Sequence, residues 1–320
     1  MSHDISVIIP TYNRAEVLAM TLKSMAAMEK RDLSVEFVIV DNGSTDRTKS
    51  VVESFSTQLT IRYLFEAKQG KNRALNCALE KADLGNIVVF TDDDVDVSPD
   101  WLVSIHSVCE RWPDHSVFGG RINVVFPVEQ VPKWAFDPDI SALAFAHHSY
   151  SKEERVYESP EVPFGPNYWV RREVFDSGRR FDEAIGPHPT NRITGDDTSF
   201  LLALLKDGYE IVYSPTAIVD HRIQPEVLKF SAVCLRAYRW GRGKLHIYGL
   251  PQQTLLKRYP GPWWVYRCGA ITWNMFKVLC SIVFSSNGKR LANCAESIVN
   301  LAYQIEAIRL AKAFREDARF

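Results

Sequence analysis

Six cysteines, at 77, 109, 234, 268, 280 and 294, never fall into a C-x-x-C pair in this 320-residue chain. Their spacing implies neither a zinc site nor a disulfide framework, and buried free thiols in a reducing compartment are the expectation. The chain has no GxxxxGKS or GxxxxGKT loop and no GxGxxG after its first apolar run. A diphosphate ligand would therefore need a metal ion or basic side chains to offset its charge. HExxH and a serine nucleophile elbow are missing, which excludes hydrolases of those kinds. The first 30 residues lack the basic-then-apolar pattern of a secretory signal. No apolar run reaches the roughly 20 residues of a spanning helix. The most apolar stretch, 262–284, is interrupted by Arg267, Asn274 and Lys277. Trp263, Trp264 and Trp273 beside basic residues fit a helix lying in a membrane interface, or one packed on the domain or on a second copy of the chain.

What is present is an ordinary globular composition, 46% hydrophobic and 24% charged, sufficient for a sizeable core. The net charge of −1 conceals an asymmetry. Residues 221–320 hold 16 Lys and Arg against 5 Asp and Glu, whereas residues 1–220 hold 22 against 34. A basic back half suits a membrane surface or a phosphorylated partner, or is simply a solvated helical face.

Short apolar runs alternate with helical spacing. ISVIIP (5–10), VEFVIVD (35–41), LTIRYLF (59–65) and NIVVFTD (86–92) read as buried strands. Helices are expected from Arg14 to about Met28 and over 69–82. Ser44 or Thr45 is offered as the cap of another helix. The alternation indicates a doubly wound, mostly parallel α/β sheet, which binds ligands beyond the carboxyl ends of its strands. Asp41 and Asp92 sit at such ends and should line one cleft. Residues 127–165 read as irregular, 169–175 as a short helix, 195–209 as a loop and helix, and 210–223 as two short strands broken by Pro215. From Pro225 onward the pattern is helical.

Asp92, Asp93 and Asp94 follow the fourth strand directly. Carboxylates at a strand end suit a hard divalent cation such as Mg²⁺ or Mn²⁺, although an acidic turn is commonly just solvated. Asp196 and Asp197 open a predicted helix, where an acid is by default a cap and, beside a hydroxyl, a general base. His221 can join a carboxylate on a metal. Lys71 and Arg73 open a helix and could face phosphate.

In their order, SVIIPTYNR, FVIVDNGSTDRT, GKNRALNCAL, VVFTDDDVDVSPDWL, GPNYWVRREVF and GDDTSFLLALLKDGYEIVYSPTAIVDHRI resemble family 2 glycosyltransferases of the GT-A fold, over roughly residues 4 to 245. The resemblance implies inverting transfer from a nucleoside-diphosphate sugar, a UDP-sugar by first choice, aided by Mg²⁺ or Mn²⁺. It implies Pro10, Tyr12, Arg14 and Asp41 around base and ribose, with Lys71, Arg73, Asp92 and Asp93 also on the nucleotide sugar. Asp94, Asp92 and His221 would hold the metal, Asp197 would be the base, and Gly165, Asn167 and Asp196 would lie near sugar and acceptor. Asp196 stands where Glu is commoner in the family, and Leu75 where many relatives carry Arg. Processive members carry Q-x-x-R-W; here RAYRW (236–240) has Arg in the first place, which points to a single addition in glycan, polysaccharide or glycolipid assembly.

The expected organisation is a GT-A domain over 1–225, with a nucleotide-sugar half (1–115) and an acceptor half (116–225), and a helical C-terminal extension over 226–320. Two alternatives stand beside transfer to a glycan: a polyprenyl-phosphate glycosyltransferase at the membrane, and a non-catalytic partner subunit that binds nucleotide sugar. The expected partners are the donor and a glycan or lipid-linked acceptor, with no nucleic acid; peripheral membrane contact through 226–320 and a homodimer stay open. The expected place is the cytoplasm or the inner face of a membrane.

Overall fold

The structure, a computed structural model, describes residues 3–187, 193–249, 268–275, 277–278 and 288–317. The chain forms two compact units. The first comprises Met1–Pro127, Ala146–Asn191 and Asp196–Ile223; the second comprises Val128–Phe145, Arg192–Gly195 and Gln224–Phe320.

The first unit is built on one sheet. Strands β1 (Ile5–Thr11), β2 (Val35–Asp41), β3 (Ile61–Phe65) and β4 (Ile87–Phe90) are parallel, in the order β3-β2-β1-β4. Side chains alternate along each strand between the two faces, and both faces are covered. Ile5, Val7 and Ile9 enter one core with Leu18 and Leu22 of helix α1 (Ala15–Ala27). Ile8, Val38 and Val40 enter the other with Ala74, Leu75 and Ala78 of helix α3 (Lys71–Lys81). Burial on both faces explains why these strands read as unbroken apolar runs. Helix α2 (Thr48–Ser54) starts later than Ser44 or Thr45 would have placed it. The Asp46 carboxylate accepts from both the amide and the hydroxyl of Thr48, and Ser44 instead donates its amide to Asp41.

Beyond β4 come β5 (Val95–Val97), helix α4 (Trp101–Arg111), β6 (Val117–Val125), β7 (Arg155–Val156), β8 (Tyr168–Arg171), helix α6 (Glu173–Asp176), helix α7 (Asp196–Lys206) and β9 (Ile211–Arg222). The sheet continues β4-β8-β6-β9-β5, with β7 also on β9. Three expectations change here. The short helix expected over 169–175 starts only at Glu173: Tyr168, Trp169 and Val170 are wholly buried between β4 and β6 as part of β8, and this tertiary pairing overrides their helical spacing. The 127–165 stretch holds the 3-10 turn Lys133–Phe136, helix α5 (Pro138–Phe145) and β7. Pro215 does not break β9 in two. The register with β6 jumps from Gly120↔Ser214 to Arg121↔Ile218, so Pro215 sits in an irregularity where its missing N–H costs no ladder bond.

The second unit is helical. It contains α5, the 3-10 turn Pro225–Leu228, helix α8 (Phe230–Tyr248) and helix α9 (Gly288–Asp317). Helices α8 and α9 approach closely at Gly241, where a Cβ would lie 2.1 Å from the Val299 carbonyl oxygen. Buried Arg242 pairs with Glu306 beside it at 2.8 Å. Among the described residues no helix is long and apolar enough to cross a membrane. Trp263, Trp264, Arg267 and Cys280 lie outside the described residues; Trp273 is 58% exposed, with the Lys277 ammonium 5.6 Å from its ring centre. Cys77, Cys109 and Cys294 are buried free thiols as expected, whereas Cys268 is exposed.

Candidate active site

Because β1, β2 and β4 are parallel, their carboxyl ends present Thr11, Asp41 and the Asp92–Asp94 turn at one edge of the sheet. Antiparallel β8 starts at that same edge, where Tyr168 pairs with Phe90 and brings Gly165 alongside. Helix α7 opens there with Asp196 and Asp197.

The three consecutive acids diverge, Asp92 to Lys71 and the other two to opposite arms of Arg14. Asp92 reaches the Lys71 ammonium at 2.9 Å. Asp93 turns inward: it accepts from the Thr11 hydroxyl at 2.7 Å and from Arg14 at 2.6 Å, and burial pushes its carboxyl up to about 7 even though Arg14 pulls the other way. Its place is the scaffold that holds Arg14. Asp94 accepts from the other arm of Arg14 at 2.8 Å and lies 3.4 Å from Nε2 of His221. Burial would raise this carboxyl, but His221 and Arg14 hold it below the ordinary carboxylate range.

Lys71 is the hub of a second cluster. Its ammonium lies 2.9 Å from Asp92, 3.3 Å from Asp197 and 3.6 Å from Asp196. Burial alone would lower its pKa, yet Asp197, Asp92 and Asp196 raise it well above that of an ordinary lysine. One ammonium among three carboxylates leaves an excess of negative charge. That excess falls on Asp197, which burial and then Asp196 push up to about 7, against the pull of Lys71. Gly165 is required by close approach: a Cβ there would lie 2.1 Å from an Asp197 carboxylate oxygen.

The remaining expected residues are placed as follows. Asp41 is buried, accepting from the Ser44 amide and, at 2.7 Å, from the Tyr63 hydroxyl. Pro10 is half-buried in β1 ahead of buried Thr11, and Tyr12 beyond the strand is exposed. Asn167 is wholly buried; it accepts from Trp101 and donates to the carbonyls of Arg121 and Ala217, so it builds the floor rather than reaching outward. Arg73 is not brought to the acids. It pairs with Glu183 at 3.2 Å and lines a separate cavity of about 420 Å³ with Glu66, Lys68 and Cys77. Residues 71 and 73 are about 200° apart around a helix, so they cannot serve one site. Sequence reasoning missed Thr11, Tyr63 and Tyr168, whose hydroxyls hold Asp93, Asp41 and, at 3.4 Å, Asp197. Only their places next to motif residues or in the paired strand marked them.

A divalent cation fits beside Asp94. Its Oδ1 is buried, and the imidazole Nε2 of His221 lies 3.4 Å from it. No group of three or more His, Cys, Asp or Glu able to hold a metal occurs among the described residues. An ion here would thus need further oxygens from a bound phosphate and water, the usual habit of Mg²⁺.

The sequence profile described as glycosyl transferase family 2 matches residues 6–177, more than half of the chain. The chain belongs to that family. It is a glycosyltransferase with an α/β, GT-A-type fold and a helical C-terminal part. The glycosyltransferase AglE of Haloferax volcanii is 25% identical over 264 residues, covering 82% of this chain and 79% of that protein. Among solved structures, the mannosyltransferase PcManGT of Pyrobaculum calidifontis, in complex with GDP-Man and Mn²⁺, aligns with a TM-score of 0.59 at 18% identity, over 94% of this chain and 86% of that one. TarS 1–349 of S. aureus in complex with UDP aligns with a TM-score of 0.53 at 18% identity, over 99% and 92%. In this glycosyltransferase the profile covers Arg14, Lys71, Asp92–Asp94, Gly165 and Asn167, whereas Asp196, Asp197 and His221 lie beyond it. Folding returns those three to the matched part.

Proposed function

We propose that this glycosyltransferase moves a sugar with inversion from a nucleoside-diphosphate donor, a UDP-sugar by first choice, to an acceptor hydroxyl in a single addition. Asp197 is the general base. The carrying observation is its carboxylate, buried, raised to about 7, seated against Gly165 and bridged by Lys71 to Asp92. A base whose pKa lies near neutrality balances readiness to accept a proton against being free to do so. In the reaction the acceptor oxygen bonds to the anomeric carbon while its proton passes to Asp197. The bond from that carbon to the diphosphate oxygen breaks, and the diphosphate leaves with the electron pair. Residues 1–115 supply the donor side, with Arg14 and Asp41 toward the nucleotide and Asp92 and Lys71 toward the sugar; residues 116–225 supply Gly165, Asp196 and Asp197 on the acceptor side. Asp94 and His221 would hold Mg²⁺ or Mn²⁺, with Asp92 nearby. Such an ion, when bound, stabilises the charge that develops on the leaving diphosphate.

The solved relatives with GDP-Man and with UDP support a nucleotide donor for this fold. The test is Asp197→Asn. Donor binding is expected to persist while transfer falls by about 10²–10⁴-fold. Turnover near that of the unaltered enzyme sinks the base assignment, and a product with retained anomeric configuration sinks the inverting mechanism.

A second reading, transfer to a lipid-linked acceptor at a membrane surface, is favoured by the basic balance of residues 221–320 and the exposed Trp273 under Lys277. Sedimentation with vesicles containing anionic lipid tests it. Equal recovery with anionic and neutral vesicles counts against it.

A further inference from the structure

The Asp94–His221 pair depends on a weak piece of sheet. Asp94 precedes β5, and His221 lies opposite Val95 across the β5–β9 ladder. That ladder is three residue pairs long, and β5 is the last strand in the sheet order. So short an edge strand does not hold its position by its own ladder alone. Something else must fix the distance from carboxylate to imidazole.

The residue after His221 does so. Successive side chains on a strand face opposite ways, so Arg222 points under the acidic turn. It is nearly buried, and both terminal nitrogens of its guanidinium are hydrogen-bonded. Its amide donates to the Asp94 carbonyl at 2.9 Å. One arm of its guanidinium donates to the Val95 carbonyl at 2.9 Å and to the Asp96 carboxylate. The other arm donates to the Val17 carbonyl of α1 at 3.1 Å and to the Thr21 hydroxyl at 2.7 Å. Thr21 passes the restraint on, donating to the Asp93 carbonyl at 2.7 Å. A planar fork with five donors can bind three elements at once, which a lysine cannot.

We infer that Arg222, with Thr21, is a positioning residue for the cation end of the site: it ties β9, β5 and α1 together so that Asp94 and His221 stay within reach of one divalent ion. The inference rests on the proposed cation at Asp94. Groups that orient metal ligands from behind typically matter by 10–100-fold in metal affinity.

Mn²⁺ titration, read by loss of the free-ion electron paramagnetic resonance signal in the presence of UDP and, separately, GDP, tests this. Arg222→Met is expected to weaken Mn²⁺ binding by at least about tenfold, Arg222→Lys by less, and Thr21→Val in the same direction. Turnover at saturating Mn²⁺ should fall by a smaller factor than the affinity, which a generally loosened fold would not produce. Should Arg222→Met fail to fold, Thr21→Val carries the test. Folded Arg222→Met or Thr21→Val protein with unaltered Mn²⁺ affinity overturns the role of Arg222 alone. Mn²⁺ affinity unaffected by Asp94→Asn, or no Mn²⁺ binding to the unaltered protein, overturns the cation site and this inference with it.

Discussion

A single ammonium shared by three carboxylates makes Lys71 the control point of the acid cluster. Asp197 keeps a pKa near 7 only because Lys71 offsets part of the push from burial and Asp196. In its proposed role as base, Asp197 must be ionised, so kcat/KM should rise with pH through about 7 and then level off. Lys71→Met removes the offset, and the rising limb should move to higher pH; pH–rate profiles from 5.5 to 9 show whether it does. The same burial has a consequence for stability. An unfolded Asp has a pKa of about 3.9, so between there and about 7 the folded protein binds the Asp197 proton more tightly than the unfolded chain, and stability falls as pH rises through that window. Asp197→Asn should therefore raise the melting temperature at pH 8 by more than at pH 5. An equal change at both pH values would show that the carboxyl is not strained. At Gly165, a methyl group must displace the Asp197 carboxylate. Gly165→Ala should leave a folded protein with transfer reduced by an order of magnitude or more, since misplacement of about 1 Å can cost 10²-fold.

At the scale of elements, the junction of β8, β6 and β9 is held by one amide. Asn167→Leu would leave the Trp101 indole N–H and the carbonyls of Arg121 and Ala217 without their partner inside the core. Each such loss costs about 1–3 kcal/mol, so denaturant unfolding should show a loss of at least ~3 kcal/mol. The sequence made the parallel half of the sheet legible, because β1, β2 and β4 are buried on both faces and so read as unbroken apolar runs ending in Thr11, Asp41 and Asp92. It did not make the other half legible. Strand β8 owes its state to neighbours about 50 and 80 residues away in sequence, β5 is too short to show a period, and the Pro215 irregularity imitates a break. The acids were legible as a group, but not their directions. Whether Asp93 faces the cleft or Arg14, and whether Arg73 joins Lys71, is decided by rotations about a turn and a helix that spacing alone does not give. Arg222, one residue beyond the noticed His221, carried no signal at all, since its partners belong to β5 and α1.

At the scale of the whole molecule, the proposed cation site at Asp94 and His221 has only two protein ligands, while Arg14 and Lys71 already occupy much of the acidic turn. Two protein ligands hold a hard cation poorly without phosphate oxygens. Cation and nucleotide should therefore bind together and stabilise the fold together. A ligand at 100 times its Kd adds about 2.7 kcal/mol to stability. Thermal melts with UDP-, GDP- and dTDP-sugars should show a clear upward shift for one base in the presence of Mn²⁺ and little in EDTA, with Mn²⁺ alone having little effect. Asp197→Asn should keep the shift, because its place is on the acceptor side, whereas Asp94→Asn should lose it. A shift of the same size in EDTA would mean that Arg14 and Lys71 carry the diphosphate unaided, and would remove the cation from the donor site.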